Sequence, residues 1–347
     1  MFKHFRISIL FTLMCLALGT WYGWSESGSV AGALRILWIV SVLAVLEISL
    51  SFDNAVVNAS VLEGMDELWR KRFLTWGMVF AVYGMFIFFP LAIVAVAAGI
   101  GPVEAFRLSL SNPAQYETIM HAAHPGIAGF GGAFLLLVGL KFFFDSDKEV
   151  HWIKVVEEQL TKFSVVPMVE TVVVLLTLWW VSSYLPEGVS WTYLVAGILG
   201  IVTFLLVEAL GKFLENRETK LKAAGAIVRS GFGSFIYLNV LDATFSFDGV
   251  IGAFALSNNM IVIALGLSIG AMFVRSLTLL MVKQGTLAEY RYLEHGAFWA
   301  IIALGVIMLV SAHWEVPDTI TGLVGAVLIV ASLGWSIRHR KRHPEHY

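Results

Sequence analysis

The chain has 347 residues, of which 58% are hydrophobic and only 14% are Asp, Glu, Lys or Arg. Its mean hydropathy of +0.81 excludes an ordinary soluble domain, whose surface must be polar. The formal net charge of −2 says little by itself, since in a membrane chain the distribution of charge matters more than its sum. No nucleic-acid partner is expected, and the single cysteine, Cys15, leaves neither a disulfide framework nor a thiolate metal site.

A helix needs about 20 apolar residues to cross the hydrocarbon core. On that rule the chain reads as an all-α polytopic membrane protein of about ten transmembrane helices, predicted at 7–24, 33–61, 73–100, 125–144, 165–185, 191–211, 231–257, 261–282, 296–312 and 318–337. A basic start before the first apolar run also fits a signal peptide. No small-x-small cleavage site stands near Trp21 to Trp24, and Met14 before Cys15 spoils a lipoprotein signal, so the segment is read as a retained helix. The connections alternate in basic content. Twenty of the 23 lysines and arginines fall in one set of them, beginning with Lys3 and Arg6 and ending with Arg338, Arg340, Lys341 and Arg342, whereas the opposite set holds only Arg35 and Arg107. The positive-inside rule then expects both termini in the cytoplasm, across a multi-pass inner membrane. Arg275 is left over, inside a predicted span.

The second span carries LEISLSFDNAVVNASVL (Leu46–Leu62), with Glu47, Asp53 and Asn54 inside an otherwise apolar run. Ionisable groups in a membrane are costly and by default mark a functional site. The seventh span carries LDATFSFDGVIGAFALS (Leu241–Ser257), and laying one over the other matches Glu47 with Asp242, Ser49 with Thr244, Ser51 with Ser246, Phe52 with Phe247 and Asp53 with Asp248. The costly residues recur in register, so an internal duplication is expected. The second and seventh spans are an odd number of crossings apart, so the copies run in opposite directions and the repeat is inverted, an arrangement typical of secondary transporters with a midplane site between the halves. At 100° per residue, Glu47, Ser51, Asn54 and Asn58 share one stripe, while Ser49 and Asp53 share another about 120° away. Unwinding near Ser51 to Asn54 is expected to bring the stripes together, and Gly249 offers a break in the second copy.

On this basis residues 1–30 form an N-terminal transmembrane helix and loop, 31–163 a first repeat core, 164–230 connecting helices and a cytoplasmic loop, 231–313 a second repeat core, and 314–347 a last helix and basic tail. The two acidic motifs, with the flanking pieces LTWGMVFAVYGM, FGGAFLLLVGLKFFF and LEHGAFWAI, resemble the TerC-like integral membrane proteins of the LysE exporter superfamily, in their long branch of unknown-function members. The resemblance spans most of residues 34–312. It implies two inverted three-helix units and export of a divalent metal, Mn²⁺ first among candidates, with Glu47, Asp53, Asn54, Asp242 and Asp248 in the metal site. Ser49, Ser51, Thr244, Ser246, Arg275 and Glu208 are candidates for the surroundings of that site. One departure is visible: aligning WGMVFAVYGMF with LGLSIGAMFVR sets Phe86 opposite Arg275.

Carboxylate, amide and hydroxyl oxygens suit hard cations such as Mg²⁺, Ca²⁺ and Mn²⁺. Crowded acids in a low-dielectric site cannot all ionise while empty, so arrival of the cation is expected to release protons. The expected partners are therefore a divalent ion, protons and the lipid bilayer, with no permanently bound cofactor and no enzymatic activity. Two other classes remain. A membrane partner supplying metal to exported proteins, or conferring tellurium or stress resistance, keeps ion binding, whereas an intramembrane aspartyl protease requires a GxGD-type context absent around Asp53 and Asp248. Glu170 and Glu208 read as interhelical hydrogen-bonding groups, and His121, His124, His151, His295 and His313 as residues at span ends.

Overall fold

The computed structural model describes residues 2–77, 79–145, 150–163, 166–223, 231–254, 256–257, 259–314 and 316–342, and among them every regular element is helical. Helix α1 (Phe2–Ser27) is followed by α2 (Val30–Leu50), whose first turn is capped by the Ser29 hydroxyl accepting from Gly32 N–H at 3.1 Å. Then come α3 (Phe52–Glu63) and α4 (Glu67–Arg72). Two π-helical stretches, Phe73–Gly77 and Phe80–Phe88, run into α5 (Phe89–Ala98). Gly99, at φ +64°, ends α5 in the left-handed conformation that glycine adopts without a Cβ penalty. Pro102 then starts α6 (Pro102–Ser111), at a bend of 101°. The chain continues through α7 (Pro113–Phe143), α8 (Lys154–Phe163), α9 (Val169–Ser182), α10 (Glu187–Ala223), α11 (Phe232–Phe254), α12 (Met260–Gln284), α13 (Thr286–Glu289), α14 (Leu293–Ser311) and α15 (Asp318–Arg342).

Among the described residues seven helices are long and apolar enough to cross a membrane, or eight if the bent pair ending in α6 counts as one span. The chain is thus a polytopic helical membrane protein, and the expectation of ten regular spans needs revision in three places. The second expected span is interrupted at Ser51, dividing it into α2 and α3. The third winds partly as π-helix before the bend. The fifth yields only the 14 residues of α9, about 21 Å of helix against a hydrocarbon core of about 30 Å. Helix α11 occupies the seventh expected segment, but the side chains of Phe247, Asp248 and Ile251 lie outside the described residues.

Helix α7 is the most enclosed candidate span, packed by α10 on one side and α14 on the other. Its approach to α14 is close enough that a Cβ on Gly305 would meet the Leu136 backbone nitrogen at 2.7 Å. The buried Tyr193 hydroxyl, on α10, donates to the Leu309 carbonyl of α14 at 3.1 Å and joins the three helices. A second group is formed by α1, α2 and α12. There the Ser8 hydroxyl lies 2.6 Å from that of Ser276, and Cys15 is buried in the core, so α1 is an integral part of the bundle. Helix α3 lies between these groups, in contact with α11, α12, α14 and α15. Helix α3, which buries Asp53, Asn54 and Asn58, is therefore surrounded by protein, as lipid demands of such a segment.

Candidate cation site

The site begins with the interruption between α2 and α3. Ser51 has φ −103° and ψ 16°, outside the regular helical wells, and its hydroxyl donates to Glu47 Oε1 at 2.9 Å. Two residues later, in the first turn of the new helix, Asp53 Oδ1 accepts the Asn54 N–H at 3.0 Å. Short polar side chains that bind nearby backbone or side-chain groups weaken a helix interior and favour a helix start. A carboxylate in the first turn is also favoured by the helix dipole. The break is short. Ser51 N–H still donates to the Glu47 carbonyl at 3.0 Å, and Ala55 N–H to the Ser51 carbonyl at 3.2 Å.

Because α3 resumes almost in phase, Glu47, Ser51, Asn54 and Asn58 stay on one face. They line a cavity of about 30 Å³ shared with Asp242 and Ser246 of α11 and with Arg275 and Thr278 of α12, closed by Phe73, Leu74 and Phe86. That volume has room for two or three water-sized bodies, at roughly 10–15 Å³ each. Asn58 Nδ2 donates to Asp242 Oδ1 at 2.7 Å, and Asn54 hydrogen-bonds the same carboxyl group. The amide oxygens of Asn54 and Asn58 are both buried without a hydrogen-bond partner. An unsatisfied buried acceptor costs about 1–3 kcal/mol, and here two stand beside two carboxyl groups. Donors are scarce. The Ser246 hydroxyl is turned to the Asp242 carbonyl at 2.9 Å, the Thr278 hydroxyl to the Val274 carbonyl at 3.0 Å, and Arg275 Nε to the Leu74 carbonyl at 2.6 Å. The cavity is rich in oxygen acceptors of the kind a hard cation takes.

Glu47 reaches this position because two facing residues have no side chain. A Cβ on Gly270 would lie 2.3 Å from Glu47 Cγ, and one on Gly249 would lie 2.7 Å from Glu47 Oε2. Gly249 therefore makes space for a carboxylate rather than breaking α11, which runs through it without interruption.

The expected joining of the two polar stripes does not occur. Asp53, 4% exposed, faces a separate crevice with Ser49, bounded by Ala300 and Leu304 of α14 and by Thr321 and Gly322 of α15. The reason is the shortness of the break: one residue leaves the original phase difference between Glu47 and Asp53 intact. The side chain of Asp248 lies outside the described residues. Ser49 bonds back to the Val45 carbonyl, and Thr244 to the Val240 carbonyl. Glu208 is held by Lys141 and Lys212 in a different, polar cleft shared with Tyr237 and Glu215. Among the described residues no three His, Cys, Asp or Glu side chains converge to hold a metal, so ligation in the cavity would draw on amide and hydroxyl oxygens as well as Glu47 and Asp242.

A second polar centre escapes sequence reasoning. Glu157 of α8, 1% exposed, accepts from the backbone N–H groups of Trp152 and Ile153 at 3.0 and 3.1 Å and from Trp299 Nε1 at 3.0 Å. His151 Nδ1 and His295 Nε2 lie 3.7 and 3.6 Å from Glu157 Oε2, the oxygen that also accepts the Trp152 N–H. His295, in the first turn of α14 and so at the end of that span as expected, is also buried, with Nε2 2.8 Å from the Val150 carbonyl.

Residues 52–343 match the model of a family described as "Protein of unknown function (DUF475)". No curated protein and no solved structure matches the chain.

Proposed function

We propose that this chain, which belongs to the DUF475 family, is a membrane transporter that exports a divalent cation, Mn²⁺ first, through the cavity between α3, α11 and α12. The observation that carries the reading is the pair of donorless amide oxygens, Asn54 Oδ1 and Asn58 Oδ1, beside Glu47 and Asp242 in a small cavity enclosed by protein. Water alone would satisfy those oxygens. It would not account for the concentration of acidic side chains at membrane depth, where each is expensive.

The finer reading is an inverted repeat carried on about ten crossings, with both termini in the cytoplasm and the protein in the inner membrane, as in the TerC-like exporters it resembles. Its support is that Glu47 and Asp242, matched by the repeat, line one cavity, and that Phe86 and Arg275, matched by the flanking alignment, line it too. Cation arrival displaces protons from the acids, and the exchange is electrically cheaper than moving an uncompensated divalent charge. The role is transport rather than catalysis.

The test is Mn²⁺ flux into proteoliposomes containing the purified chain, together with metal content in a deletion strain. Saturable Mn²⁺ flux is expected, reduced by about tenfold or more in Glu47→Gln and in Asp242→Asn, as loss of a charged ligand worth about 1.5–3 kcal/mol implies. Flux of Mg²⁺ or Ca²⁺ without Mn²⁺ would reassign the ion. Absence of any divalent flux at normal membrane insertion would remove the transport reading.

A further inference from the structure

On the outer side of α11, away from the cation cavity, lies an apolar groove of about 550 Å³, the size of a small-molecule site. Trp76 and Phe80 of the π-helical segment form one wall, Phe130 of α7 another, and Phe235, Val240 and Ala243 of α11 the floor. Trp76 is 69% and Phe80 52% exposed. The polar groups in the floor are already used, since Asn239 Nδ2 donates to the Phe235 carbonyl at 2.7 Å and the Thr244 hydroxyl to the Val240 carbonyl at 2.9 Å. From Phe235 to Thr244 the helix rises about 14 Å, close to half of a hydrocarbon core about 30 Å thick. The groove therefore matches the depth of one leaflet.

Beyond the Phe235 end of the groove, outside its lining, stands one basic residue. Arg72 Cζ sits 4.5 Å above the Trp69 ring, and that ring lies 5.5 Å from Phe235 between centroids. Arg72 precedes Trp76 by four residues, and Phe80 follows by four more, so a cation and two exposed aromatics succeed one another along the segment. Neighbouring Lys71 is paired with Glu67 at 2.8 Å, whereas among the described residues Arg72 pairs with no carboxylate.

We infer that this groove is a binding site for an anionic phospholipid, with one acyl chain between the π-helical segment and α11 and the headgroup phosphate at Arg72. The charge beyond the Phe235 end and the one-leaflet depth select this occupant over a second copy of the chain, whose apolar helix would gain nothing from the guanidinium. The site does not depend on the transport reading and stands or falls separately from it.

The experiment is native mass spectrometry of the delipidated full chain in detergent, titrated with phosphatidylglycerol and with phosphatidylcholine bearing the same acyl chains. Phosphatidylglycerol should bind about fivefold more tightly, the contribution of one basic residue at a membrane surface. Arg72→Gln, at an exposed position, should abolish that preference, and Ala243→Phe should weaken both lipids by filling the groove. A decrease in quenching by brominated chains in Trp76→Phe, the other 11 tryptophans being unchanged, reads chain position without a groove-filling variant. Equal binding of the two lipids, a preference untouched by Arg72→Gln, quenching independent of Trp76, or a dimer by light scattering that Ala243→Phe dissociates would each overturn the inference.

Discussion

Gly270 controls where the Glu47 carboxylate stands. A methyl group there would lie 2.3 and 2.4 Å from two aliphatic carbons of Glu47 and 3.3 Å from the Ile48 nitrogen, and backbone cannot yield as a flexible side-chain end does. Gly270→Ala is expected to cost about 1–3 kcal/mol through overpacking and to depress Mn²⁺ flux even where the protein inserts. Thermal melting and proteoliposome flux measured on the same preparation check both effects. Asp53 should behave differently. Asp53→Ala removes a first-turn helix acceptor worth about 1 kcal/mol, and Mn²⁺ affinity at the Glu47–Asp242 cavity should persist. In contrast, Glu47→Gln and Asp242→Asn should be strongly non-additive with one another, as groups sharing one ligand are. Residue spacing made Glu47, Ser51, Asn54 and Asn58 legible as one face. The position of Asp53 was not legible, since it turned on how many residues the helix break would consume, a property of local hydrogen bonding at Ser51 that spacing does not encode.

Among the elements, α8 shows how little a one-dimensional pattern reveals about a helix fastened by distant partners. Its single buried residue, Glu157, depends on backbone donors in the preceding turn and on Trp299 and His295 of α14. Nothing near Glu157 in sequence announces those partners. Glu157→Gln preserves shape but sets an amide donor among existing donors, so the amides of Trp152 and Ile153 should lose exchange protection by about tenfold or more, the equivalent of about 1–3 kcal/mol. Hydrogen–deuterium exchange resolved to residues 150–163 measures this, with α7 as the unchanged reference. The interruption between α2 and α3 was anticipated from its polar residues, while the one at Gly249 was not realised. A glycine in a helix is ambiguous between flexibility and space, and only the facing carboxylate decides between them.

At the scale of the molecule, apolar composition was enough to read a polytopic helical bundle, but not to count its crossings. Hydropathy cannot distinguish a straight span from one bent by 101° after α5, nor reveal that α9 stops after 14 residues. The alternation of basic connections still makes an orientation prediction. Reporter fusions after Lys71, Lys154 and Lys220 should give the cytoplasmic signal, and one at Asn112 the opposite; Asn112 and Lys154 on the same side would end the inverted-repeat reading. The burial of Cys15, at 2% exposure in the core between α1 and its neighbours, has a chemical consequence for that question. The native protein should react slowly with maleimides in its folded state. A cysteine introduced at Asn112 or Lys220 would then supply the one rapidly modified thiol, and a reagent that cannot cross lipid would read its side of the membrane with Cys15 left in place.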